Sequence, residues 1–122
     1  RTPLIQKVDV YNQEKDIIKI INKILESGIK KPALFSSNNN VAKICMNTIR
    51  SLQLKIPDDI ALASFDDIEL FEFSSPPITA ISQPIQKMGE LAAGLLVDQI
   101  SHNKNPVRDY IFETKTIHRK SI

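Results

Sequence analysis

Three short apolar runs, residues 33–35, 60–65 and 79–82, are separated by stretches that carry apolar side chains at helical spacing. This alternation constrains the chain more than any other feature, because strands interleaved with amphipathic helices fit a sheet with helices packed on its faces. The run 60–65 is apolar on both sides, as a buried parallel strand requires. The clearest helix precedes the first run. Ile17, Ile18, Ile21, Ile24 and Leu25 share one face of it, and Lys15, Lys19, Asn22 and Lys23 the other. Asn12 is placed to cap its start, Glu14 and Asp16 suit its first turn, and Gly28 supplies the left-handed residue that ends it.

A second helix over about 41–52 carries Cys45, Ile49 and Leu52 on one stripe. A third starts at Pro84, turns Ile85, Met88, Ala92, Leu95, Leu96 and Gln99 or Ile100 inward, and fades before Asn103. Further strands are expected at residues 7–10 (with Leu4 and Ile5), 110–112 and 115–118, and a loop around Pro76 and Pro77. The fold class is α/β, a parallel sheet flanked by helices on both faces.

Composition narrows the function. The 122 residues suit one domain or a large piece of one, and 16 basic against 14 acidic side chains make no case for a nucleic-acid-binding surface on this chain. A single cysteine, Cys45, excludes an internal disulfide; set among apolar residues it reads as a buried inert thiol in a reducing compartment. His102 and His118 have no partners at metal-ligand spacing and read as surface residues, so neither a metal nor a cofactor is implied. No run is long enough to span a membrane and no signal-peptide pattern opens the chain. Arg1 in place of an initiating methionine is read as the mark of a fragment or a processed product.

In open α/β sheets ligands bind outside the carboxyl ends of the strands. Those ends here deliver Tyr11 with Asn12, then Ser36 to Asn40, then Asp66 and Asp67, then Gln83. A carboxylate accepts from two hydroxyls, and asparagine and glutamine both donate and accept, an inventory suited to a polyhydroxylated ligand. Hydrogen bonds to a charged group contribute roughly 1.5–3 kcal/mol each, which makes Asp66 the expected anchor. Tyr11 can cover a sugar face or stack on a base. Each residue also has a structural reading. One of Asn38, Asn39 and Asn40 serves as a helix cap, Asp66 and Asp67 suit a turn, and Tyr11 suits a half-buried strand end. Gln83 is harder to explain that way, since a residue before proline is held extended and glutamine caps poorly. No nucleophile elbow, phosphate loop or paired acid and base appears, so an enzyme is not expected.

The segments LQLKIPDDIALASFDDI and SSPPITAISQPIQKMGELAAGLL resemble the LacI/GalR family of bacterial transcription regulators. The features that match are Ile56-Pro57, Asp58-Asp59, Phe65-Asp66-Asp67, Pro76-Pro77, Thr79, Gln83-Pro84 and Met88-Gly89, and the closing TIHRKS resembles the family's final strand. The resemblance implies a periplasmic-binding-protein-like effector domain whose two lobes clamp a small metabolite, a homodimer in the cytoplasm, and operator DNA bound through a helix-turn-helix outside this chain. Tyr11 then matches a stacking position, and Asn38, Asn39, Asp66 and Gln83 match ligand-binding positions.

Residues 1–82 are expected in the C-terminal lobe, 83–113 in the N-terminal lobe, and 114–122 back in the first. The missing neighbours would leave apolar surface uncovered. The sequence departs from the family at Asn39, usually aspartate, at Ser64, usually glycine, and at Ile44, usually a small residue. An arginine that often pairs with the ligand in this family would lie outside the chain. Three alternatives stay open: an extracytoplasmic sugar-binding protein of a transport system, an enzyme on a related scaffold, and a domain that has lost sensing and serves mainly to dimerise.

Overall fold

The computed structural model describes residues 4–102 and 108–122, with the side chain of His102 excepted. In chain order the elements are α1 (Gln13–Glu26), β1 (Ala33–Ser36), α2 (Asn39–Ser51), β2 (Ala61–Phe65), α3 (Glu69–Phe73), β3 (Thr79–Ser82), α4 (Ile85–His102) and β4 (Lys115–Ile117). The four strands form one sheet in sequence order. β1 pairs parallel to β2, and β2 parallel to β3, in registers that set Ser36 beside Ser64 and Phe65 beside Ile81. β4 returns antiparallel to β3, with Lys115 opposite Ser82. The α/β class therefore holds with a mixed sheet, because the chain comes back after α4 running the other way.

Cross-strand neighbours point to the same face, so Leu34, Leu62 and Ile117 line one side together with Ser36, Ser64 and Ala80. Leu62, Ser64 and Ala80 are fully covered. α2 packs on β1 and β2, and α1 packs on α2. Ile17 and Ile21 from α1 and Ala42, Cys45 and Ile49 from α2 meet Ile60, Leu62, Phe71, Ile78 and Ala80 in one core. Burial pushes the Cys45 thiol up to about 11, which leaves it protonated and inert at neutral pH. On the other side of β1, Phe35 stands 61% exposed. Gly28 ends α1 at φ +68, the left-handed geometry its position calls for.

Two expected strands do not form. Residues 7–10 lie outside the sheet, whose edge is β1. Asp9 instead organises a turn, accepting from the Tyr11 amide (2.9 Å) and the Asn12 side chain (3.2 Å), while its own N–H donates to Asp16 (3.1 Å). Side-chain bonding of this kind offers the backbone an alternative to a strand ladder. Residues 110–112 are likewise unpaired, with Ile111 almost wholly exposed. The expected loop before the paired prolines contains a short helix, α3, whose Phe71 is fully buried.

α4 has the expected position but not the expected burial. Ile85, Met88, Leu96 and Ile100 are exposed, and α4 makes no substantial contact with another element. Among the described residues no element packs closely on its apolar face. His102 was expected on the surface; its side chain lies outside the described residues.

Candidate functional site

The three parallel strands place the residues following Ser36, Phe65 and Ser82 together at the carboxyl-terminal end of the sheet. At β1 that residue group opens α2. Asn38 is extended (φ −161°, ψ 168°) and its side-chain oxygen accepts from the Val41 N–H at 2.9 Å, so this asparagine is the cap among the three. The cap bond uses the Oδ1 atom and leaves the Nδ2 donor on the other side of the carboxamide. Asn39, half-buried, is the first residue of α2.

Beyond β2 the chain turns at Asp66, which adopts φ +68, a left-handed geometry uncommon for a residue other than glycine. Its Oδ1 accepts from Gln83 Nε2 at 2.5 Å. Gln83 follows β3 directly and precedes Pro84, which restricts its backbone to extended geometry. This end of the sheet thus joins a carboxylate to an amide across 17 residues of sequence, both groups half-buried.

Asp67, the next residue, points to a different partner. Its two oxygens accept from Arg119 Nη1 (2.7 Å) and Nη2 (2.9 Å), and Nη1 also donates to the Ile78 carbonyl (2.7 Å). The hydrogen bond to Asp67 raises the Arg119 pKa above its ordinary value, with added attraction from Asp67 and Glu72. Two adjacent aspartates therefore diverge, as expected of neighbours in sequence.

Tyr11 is not joined to this group by any described contact. It stands 93% exposed in the turn before α1, with only its backbone N–H engaged by Asp9. That bond, with the Asn12 amide, holds the Asp9 carboxyl below its ordinary value.

The residues that depart from the family pattern are absorbed locally. Ser64 is fully buried and donates to the Phe65 carbonyl at 2.8 Å, and Ile44 packs half-buried against the core. Among the described residues no group of three or more His, Cys, Asp or Glu side chains is arranged to hold a metal ion. Sequence reasoning passed over Arg119, whose partners lie 41 and 52 residues away. The resemblance of TIHRKS to a family strand was the one available signal.

The family model described as a periplasmic binding protein-like domain matches residues 5–122. This chain belongs to that family. Its relatives carry the LacI/GalR resemblance further. The HTH-type transcriptional repressor PurR of Aliivibrio salmonicida is 32% identical over 104 residues, covering 85% of this chain and 31% of that protein. The ribose operon repressor of Escherichia coli K12 is 35% identical over 81 residues, covering 66% of this chain and 24% of that one. The transcriptional regulator CelR, solved in complex with cellobiose, superposes with a TM-score of 0.73 at 25% identity, over 88% of this chain and 33% of its own. The chain spans about a third or less of the length of the curated relatives it matches.

Proposed function

We propose that this chain is the C-terminal part of the effector-binding domain of a LacI/GalR-type transcription repressor, sensing a sugar or sugar-derived metabolite. The Asp66–Gln83 hydrogen bond carries the reading. It sets a strong acceptor beside a group that both donates and accepts, at the strand ends where α/β sheets take ligands. Asp66 anchors hydroxyls, Gln83 and the free donor of Asn38 orient them, Asn39 adds a polar wall, and the exposed ring of Tyr11 is available to stack on the ligand. The repressor names of the curated relatives and the cellobiose bound to CelR support the same class of function.

In this reading residues 1–82 and 114–122 belong to one lobe and 83–113 to the other, a division supported by the separation of α4 from the sheet. The repressor dimerises, works in the cytoplasm, and reads operator DNA through a domain outside this chain. It acts by binding rather than by catalysis. The effector biases an equilibrium between lobe arrangements by its differential affinity for them. No helix among the described residues is long and apolar enough to cross a membrane.

The test is titration calorimetry of the full-length protein with D-ribose and D-cellobiose. Asp66→Ala should weaken the sugar that binds by roughly 10- to 100-fold, the loss expected for a hydrogen-bonded charge. A variant whose affinity is unchanged would sink the assignment.

A further inference from the structure

Asp66 poses a problem of support. Left-handed backbone is disfavoured for a residue with a Cβ, less for aspartate than for most, and a single such residue is held more firmly where its surroundings fix it. On the β3 side its carboxylate meets Gln83, itself stiffened by Pro84. That contact fixes the side chain's target but leaves the backbone turn unexplained. On the other side stands Asp67, one peptide bond away.

Arg119 lies just beyond β4 and grips three places at once. Its guanidinium makes a two-pronged ion pair with Asp67 and a bond to the Ile78 carbonyl, and its backbone N–H donates to Thr79 Oγ1 at 2.9 Å. Both side chains of the ion pair are largely covered, at 13% and 19% exposure. A planar fork of this kind fixes orientation as well as distance, which a lysine ammonium does not. Ile78 immediately precedes β3 and Thr79 opens it, so the loop leaving β2 is tied to the start of the neighbouring strand through one residue.

We infer that Arg119 is a positioning residue for the ligand site: by clamping Asp67 it holds the adjoining Asp66 in the left-handed turn that aims its carboxylate at Gln83. The inference rests on the reading of Asp66 as ligand anchor given above. A purely structural staple would look similar in stability measurements, so the test must read Asp66 itself.

Two variants of the full-length protein serve, Arg119→Lys, which keeps the charge and loses the fork, and Asp67→Asn, which keeps the shape and loses the ion pair. The first measurement is a sugar-free crystal structure of each beside the wild type. The expected result is that Asp66 leaves positive φ and its contact with Gln83 opens beyond hydrogen-bonding distance in both variants. Asp66 unchanged in backbone and still bonded to Gln83 would overturn the inference, whatever the loss in melting temperature.

The second measurement is calorimetry with D-ribose and D-cellobiose. Affinity for the sugar bound by the wild type should fall about tenfold in each variant, equivalent to one hydrogen bond to a charged group. Equal affinity in variants and wild type would also overturn it. If the wild type binds neither sugar, the sugar reading fails for those ligands, while the crystal structures still decide the role of Arg119.

Discussion

α1 with α2 on one side, and α4 on the other, were written by the same rule and met different fates. All three carry apolar residues at helical spacing. Ile21 and Ile49 in the first pair are 0% and 1% exposed, whereas Leu96 and Ile100 in α4 are 58% and 76% exposed. The stripes on α1 and α2 have each other and the sheet to cover; the stripe on α4 has no partner surface in the described residues. Periodicity therefore identifies which face of a helix is meant to be buried. Which surface buries it is a separate fact that periodicity does not carry.

The sharpest way to break this contrast is truncation of matched residues in the 122-residue chain. Phe71→Ala should cost about 3–5 kcal/mol in urea unfolding, since it empties a fully buried site, while Leu96→Ala should stay within about 0.5 kcal/mol. Equal losses would mean that α4 is packed in solution. A pH titration probes the body of the domain more gently. The Cys45 thiol is raised from 9.0 to about 11 in the folded chain, so the unfolded chain loses its proton first as pH rises. Stability contributed by the protonated thiol is complete below pH 9.0 and declines between 9.0 and about 11, by about 2–3 kcal/mol. Unfolding midpoints measured across that range for wild type and Cys45→Ala should diverge, and parallel curves would contradict the burial. The smallest effect belongs to the carboxyl-terminal end of the sheet. Asn38→Ala removes the α2 cap and should cost about 1 kcal/mol, whereas Tyr11→Ala should leave the melting temperature unmoved.

The elements most legible in the sequence were those whose partners lie close by along the chain. α1, α2 and the strands β1 to β3 follow from local patterning, and each stripe or run finds its cover within the same body. The strand expected at residues 7–10 does not form beside β1, because the Asp9 side chain holds that stretch in a turn instead. α3 escaped notice because five residues show too little of a helical period, although Ile68 and Phe71 stand at helical spacing just where it forms. The site divides in the same way. Asn38, Asp66 and Gln83 could be placed at one end of the sheet from strand order alone, and the cap among the three asparagines had to be one of them. A turn at Asp66 was open to reading from the residue type, but the tie from its neighbour Asp67 to Arg119 was not, since a contact spanning 52 residues leaves little local signature.

The register of β3 against β4 has a mechanical consequence. Ser82 and Lys115 lie side by side on neighbouring strands, so the chain leaves the sheet toward α4 and rejoins it at adjacent points, one strand spacing apart. Gln83 is the first residue past the exit, and it is already tied to Asp66. A ligand engaging Asp66 and Gln83 as proposed would therefore act at the doorway through which the chain passes out of the sheet and back.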